Sequence, residues 1–218
     1  MDIVIPIYED FTALDAIGPY EILSRTGGTV RFVSTAPGPV RTDNRMLQVV
    51  AEASLADFPA PEIVVVPGGV STRRLLGDPV WLDWLRGVHA TSTWTTSVCT
   101  GSLLLGAAGI LQGLRATSHW LELETLREYG AEPTGERVVR QGKVITAAGV
   151  SSGIDMALAL AAELVGEESA KAIQLAVEYD PQPPFDAGSV EKAAPETVER
   201  IREIVRARTA VSQERAGV

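Results

Sequence analysis

The chain has 218 residues, 45 % of them hydrophobic and 22 % charged, which suits one globular domain with a buried core and excludes a largely disordered chain. Lys and Arg number 19 against 28 Asp and Glu, for a net charge of −9, so the chain offers no basic face for phosphates and no nucleic-acid partner is expected. One cysteine excludes an internal disulfide and fits a reducing, cytoplasmic compartment, and no apolar run approaches the roughly 18 residues of a membrane-spanning helix.

The opening MDIVIPIYEDF has no basic segment and no long apolar stretch, so no signal peptide is expected. Ile3 to Tyr8 reads as a buried strand, and Ala13 to Arg25 as a helix with Leu14, Ile17, Ile22 and Leu23 at helical spacing, stopped by Gly27-Gly28. Thr29 to Thr35 predicts a second strand, APGPV a turn, and Leu47 to Val50 a short strand. EIVVVP, from Glu62, is a fully apolar β-branched run that breaks at Gly68-Gly69, the pattern of a central parallel strand. Two helical pieces follow. The second starts at Asp78-Pro79, with Val80, Trp81, Trp84, Leu85 and Val88 as its apolar face.

Thr91 to Val98 is again β-branched and runs directly into Cys99, after which a helix extends from Gly101 to about Ala108. Arg137–Arg140 and Lys143–Ala147, around Gln141-Gly142, predict a hairpin. Helices are predicted over Ile154–Val165, capped by Ser151-Ser152, and over Glu168–Val177. A Pro-rich loop and a last helix, Pro195–Arg208, close the chain, with a flexible end after about residue 208. Strands and helices alternate, which argues for a parallel sheet with helices on both faces, without repeats or an interdomain linker.

The chemistry centres on TTSVCTGSLLLGAAG, Thr95 to Gly109. A strand ends, a lone cysteine follows, and Thr100-Gly101-Ser102 opens a helix. Such a turn lifts its central side chain above the carboxyl edge of the sheet, where open α/β sheets bind ligands. The pattern resembles the strained nucleophile elbow of α/β-hydrolases, except that Ser97 stands at its first glycine. Helix N-terminal amides would lower the thiol pKa and could hold negative charge on an intermediate. The alternative is that Cys99 is an inert buried residue.

A thiol needs a proton partner. His89 ends a surface-like helix and reads as structural or solvent-exposed. His119, in LRATSHWLE, could reach the same sheet edge or serve structure alone. Asp15, in ALDAIGPYE, is either a helix N-cap or a carboxyl group that approaches Cys99 from the loop after the first strand. Gly18-Pro19 points to a bend or to the close approach of another element.

Taken in order, LDAIGPYE, VVVPGG, TSVCTGS and ATSHW resemble the ThiJ/PfpI superfamily, which shares the class I glutamine amidotransferase-like fold. The late segment QLAVEYDPQPPFDAGS is similar to its isocyanide (isonitrile) hydratase branch. The resemblance implies a flavodoxin-like parallel sheet sandwiched by helices, in a single domain over 1–218. It also implies roles: Cys99 as nucleophile, Asp15 as the acidic neighbour and general acid/base, and Thr100 as the elbow threonine. Gly69, Gly18 and His119 become substrate- or oxyanion-binding positions. A homodimer acting on a small molecule is implied, with no metal and no organic cofactor. The activity implied is hydration of an isocyanide to an N-substituted formamide by a hydro-lyase. Other enzymes of the superfamily (glyoxalase, deglycase or peptidase-like hydrolase) and a non-catalytic ligand- or redox-sensing domain, as in related transcription regulators, remain as alternatives.

Overall fold

The computed structural model describes residues 1–215, which fall into two compact units: Met1–Val177 and a second that begins at Glu178. In the first, chain order is β1 (Asp2–Pro6), α1 (Ala13–Leu23), β2 (Thr29–Ser34), β3 (Gly38–Arg41), β4 (Gln48–Ala51), β5 (Ala53–Ser54), β6 (Ile63–Val66), α2 (Thr72–Leu75), α3 (Pro79–Thr91), β7 (Trp94–Val98) and α4 (Gly101–Ala107). There follow β8 (Arg115–Ala116), β9 (Glu132–Pro133), β10 (Val138–Gln141), β11 (Val144–Ala147), α5 (Ser152–Val165) and α6 (Glu167–Ala176). The second unit holds the exposed Pro-rich loop and α7 (Pro195–Arg215), longer than the predicted helix. The flexible end predicted after residue 208 lies in part outside the described residues.

Seven strands form one sheet in the order β10-β11-β7-β6-β1-β2-β5, parallel throughout except for the β10–β11 hairpin. This is the α/β architecture expected from the strand–helix alternation. Its central strands are buried because both faces carry helices, so β6 is apolar without interruption: Ile63, Val64, Val65 and Val66 have no exposed surface. Each such side chain contributes roughly 1.5–3 kcal/mol by leaving water. On α3 the Asp78 carboxylate caps the Val80 N–H at 2.9 Å, as the sequence suggested. The buried stripe is Trp81, Leu82, Leu85 and Val88, while Val80 faces solvent at the first turn.

Two further differences are local. APGPV does not end as a turn: from Gly38 it continues into β3, which pairs antiparallel with β4 outside the main sheet, Pro39 opposite Val50. The short parallel pair β8–β9 and the edge strand β5 have too few residues to carry a two-residue period.

The topology fixes the place of chemistry. From β1 the chain passes to β2 on one side and later returns to β6 on the other, so the strand order reverses at β1. A crevice opens at the carboxyl ends of strands at such a reversal. The β1–α1 loop, the glycines after β6 and the turn after β7 all converge there.

Candidate active site

Cys99 joins β7 to α4 with φ +58°, in the left-handed region that side chains rarely adopt. Such a backbone costs on the order of 1–3 kcal/mol and persists only where its surroundings over-determine it. Here they do. The Cys99 N–H donates to the carbonyls of Ala147 and Ala148, both at 3.0 Å. Its carbonyl accepts from the hydroxyls of Ser102 at 3.0 Å and Ser118 at 3.1 Å. Gly101 lets the helix start directly against β6, since a Cβ there would lie 2.1 Å from the Val66 carbonyl oxygen. The cysteine is therefore a strained elbow residue, held by neighbouring strands and by the Thr-Ser-His segment.

Asp15 is fully buried and is not a helix cap. Thr12 occupies that position, and Asp15 lies in the first turn of α1. Its Oδ2 accepts the Gly68 N–H at 3.0 Å, across 53 residues of sequence, while Oδ1 has no hydrogen-bond partner. Gly68 must be glycine for this contact, because a Cβ would fall 2.5 Å from Thr100 Oγ1 and 2.9 Å from Asp15 Oδ2.

Burial raises the Asp15 pKa from its usual 3.8 to about 8, against the Gly68 N–H and the thiol proton, which favour the carboxylate. Burial also pushes the Cys99 thiol well above its ordinary value, and the Asp15 charge pushes it further. Donation from Thr100 works the other way. The expected lowering by a helix N-terminus is thus overturned: α4 spans only seven residues, Cys99 is 5 % exposed, and desolvation outweighs the few amides. Burial thus pushes both groups toward their protonated forms, and no cation contributes to either shift.

The Thr100 hydroxyl faces Gly69: its Oγ1 accepts the Gly69 N–H at 2.9 Å. That amide, expected near the sulfur, is committed to Thr100 instead. Of the other implied positions, Gly18 packs α1 against α5, where a Cβ would meet Ile154 Cγ1 at 3.1 Å. His119 lies against Gly149, close enough that a Cβ on that glycine would sit 2.3 Å from the ring. Its Nδ1 accepts the Leu121 N–H at 3.3 Å, which places the ring proton on Nε2, and burial lowers its pKa. The ring is therefore a neutral Nε2–H donor. His89 is structural: it hydrogen-bonds Thr95 Oγ1 at 2.9 Å.

Sequence reading missed Gly68, Ser118, Thr72 and Tyr8. The first two sit inside quoted motifs, VVVPGG and ATSHW, and could have been found there. Tyr8 and Thr72 carry no motif of their own. Among the described residues no helix is long and apolar enough to cross a membrane, and no cluster of three His, Cys, Asp or Glu side chains is placed to hold a metal ion.

Comparison with known proteins follows the same geometry. The DJ-1/PfpI family matches residues 1–163. The chain is 42 % identical to the isonitrile hydratase of Pseudomonas putida, over 90 % of this chain and 86 % of that protein. It is 25 % identical to a glutathione-independent glyoxalase of Caenorhabditis elegans, over 76 % of this chain and 89 % of that one. A crystal structure of a ThiJ/PfpI family protein from Pseudomonas syringae superposes with a TM-score of 0.91 at 36 % identity, covering 100 % of this chain and 90 % of the other. With the family matched over three quarters of its length and an isonitrile hydratase among its relatives, the chain belongs to the DJ-1/PfpI family.

Proposed function

We propose that the protein hydrates an isocyanide to an N-substituted formamide, with Cys99 as nucleophile and Asp15 as the proton carrier. The observation that carries this reading is a fully buried carboxyl group, held by the Gly68 N–H, beside the one cysteine on its strained elbow, in a chain 42 % identical to an isonitrile hydratase.

The resting pair is neutral, and so is the substrate. Asp15, as the acid, gives its proton to the terminal carbon of R–N≡C. The carboxylate so formed takes the thiol proton as the sulfur bonds to that carbon. The product of this stage is a thioimidate, R–N=CH–S–Cys99, and Asp15 is an acid again. Water then adds to the same carbon, giving one proton through Asp15 to nitrogen. The tetrahedral R–NH–CH(OH)–S–Cys99 collapses as the hydroxyl proton passes through Asp15 to the departing sulfur. R–NH–CHO leaves, and thiol and acid are restored. A carboxyl group whose pKa lies near the working pH suits both directions of transfer. The Thr100 hydroxyl steadies charge on the sulfur while it attacks and leaves. His119, as a neutral donor, serves as the substrate- or oxyanion-binding group, while the Gly68 and Gly69 amides, engaged by Asp15 and Thr100, hold the site in place.

The reading includes a cytoplasmic homodimer without a cofactor, nucleic-acid partner or membrane partner; the lone reduced cysteine supports such a compartment. The test incubates purified protein with a small panel of aliphatic and aromatic isocyanides and follows formamide by mass spectrometry. Wild type is expected to produce it, and Cys99→Ala and Asp15→Ala are expected not to. Formamide production by both variants at the wild-type rate would remove these residues from the mechanism. Conversion of methylglyoxal with inert isocyanides would favour the glyoxalase reading.

A further inference from the structure

Behind the elbow, three hydroxyls form a line, buried at Tyr8 and Thr72 and part-buried at Thr100. Tyr8 Oη lies 2.8 Å from Thr72 Oγ1, and Thr72 Oγ1 lies 2.8 Å from Thr100 Oγ1. Tyr8 is 4 % exposed and Thr72 1 %, so water does not compete for these groups. Tyr8 is held against Trp81, edge to face at 5.5 Å, on an element remote in sequence from the elbow.

Each hydroxyl has one proton and two lone pairs, and that count limits the arrangements. Thr100 Oγ1 already accepts the Gly69 N–H. One lone pair and one proton remain to it. Two backbone carbonyls offer alternative acceptors along the line: Pro67, 3.0 Å from Tyr8 Oη, and Gly69, 2.8 Å from Thr72 Oγ1. Two polarities are self-consistent. In the first, Thr100 donates to Thr72, Thr72 to the Gly69 carbonyl and Tyr8 to the Pro67 carbonyl. In the second, Tyr8 donates to Thr72 and Thr72 to Thr100, which fills both acceptor sites of Thr100 and leaves its proton to the Gly69 carbonyl, 3.3 Å away, or to the Cys99 sulfur once that carries charge. Cooperative polarisation in a dry interior strengthens the last bond of such a chain.

We propose that Tyr8 and Thr72 are positioning residues for the nucleophile, and that reversing the polarity of the Tyr8–Thr72–Thr100 line turns the Thr100 O–H onto the Cys99 sulfur as the thiolate forms. The proposal rests on Cys99 being the nucleophile. Neither Tyr8 nor Thr72 touches the reacting atoms. No atom is transferred along the line, because three O–H rotations suffice. A phenol is a stronger donor than an alcohol, so a tyrosine at its head biases the second polarity.

The test reads Cys99 ionisation without any isocyanide. The protein has one cysteine, so iodoacetamide reports that thiol alone. Alkylation rates of the full-length protein are measured from neutral to strongly alkaline pH. Asp15 and Asp43, the charged groups that bear on Tyr8 and the site, are kept in every variant. Tyr8→Phe keeps the ring and removes the donor. Its alkylation midpoint is expected to rise by about half a pH unit or more, with roughly threefold slower alkylation below the midpoint. In a Thr72→Val background, Tyr8→Phe is expected to add nothing.

A folded Tyr8→Phe protein whose profile superimposes on wild type would overturn the proposal. So would a Tyr8→Phe shift that persists undiminished in Thr72→Val, since Tyr8 would then act through space. If Tyr8→Phe does not fold, 3-fluorotyrosine placed at position 8 keeps the ring and strengthens the donor; the midpoint is then expected to fall, and an unmoved midpoint refutes the line. Formamide production is followed in parallel on wild type. Its absence would sink the hydratase reading and leave the alkylation result standing on its own.

Discussion

Asp15→Asn should make the protein more stable and nearly inactive, with a stability gain that grows with pH. The native carboxyl group keeps its proton to about pH 8, whereas an ordinary aspartate in the unfolded chain releases it near 3.8. Between those values the native state binds the extra proton, so rising pH favours unfolding. The contribution is fully present below about pH 4 and is lost as pH rises toward 8. Each pH unit in that window costs about 1.4 kcal/mol, which sums to about 4 kcal/mol at pH 7. Asparagine carries no such cost. Its carbonyl oxygen can keep the Gly68 N–H, and its amide replaces Oδ1, the oxygen without a partner. For a chain of this size, 4 kcal/mol corresponds to about 10 °C in melting temperature. Thermal and urea denaturation of wild type and Asp15→Asn across pH 4 to 8 would show the two curves diverging as pH rises. Formamide production should fall by roughly a hundredfold or more, the usual scale for losing a general acid/base. A stability difference that stays constant across that range would mean that Asp15 ionises normally, and the proton-carrier role would go with it.

Three further outcomes follow from the same geometry. In wild type, kcat/KM for an isocyanide should fall as pH rises through about 8, because the acid form of Asp15 is the reactive one; a rate that climbs toward the thiol pKa instead would point to a preformed thiolate. His119→Gln keeps a neutral donor and should lose less than about tenfold in kcat/KM by steady-state assay, whereas a loss near a thousandfold would make the histidine the base. Gly101→Ala drives a methyl group into the Val66 carbonyl and should destabilise the protein by about 3 kcal/mol or more, seen as a lower melting temperature; an unchanged melting temperature would contradict the close crossing of α4 over β6.

Much of this was legible in the residues. Runs rich in β-branched residues located β1, β2, β6 and β7, strands of four to six residues, because such side chains suit the pleated, buried centre of a parallel sheet. The meeting of Asp15 with Cys99 was legible only as one of two choices. A carboxyl group near a helix start reads equally well as a cap, and only the placement of Thr12 at the cap and Gly68 against Oδ2 separates the two. The state of the thiol was misread for a physical reason. Sequence shows that a helix begins after Cys99, but it shows neither that the helix is two turns long nor how thoroughly the sulfur is dried. Tyr8 and Thr72 were invisible because a tyrosine at a strand end and a threonine in a short helix are common in any core.

The neutral pair bears on which substrates the site can serve. A cysteine activated in advance needs a cation to hold the thiolate, and no lysine, arginine or protonated histidine contributes to the Cys99 shift. A preformed thiolate would also place a second negative charge beside Asp15 in a dry pocket, which both groups resist. On the proposed mechanism, activation therefore comes with the substrate. A molecule whose reacting carbon first accepts a proton does this unaided: it takes the acid's proton, becomes electrophilic, and leaves a carboxylate ready for the thiol proton. An isocyanide carbon has that character, whereas a carbonyl compound takes its proton on oxygen and must find a separate donor for the oxyanion. In this site the Gly69 amide, which the family resemblance offers for that role, is already engaged by Thr100, and His119 is the remaining neutral donor. On the proposed mechanism, that hydrogen bond disfavours a carbonyl substrate and favours addition at a carbon that can itself be protonated.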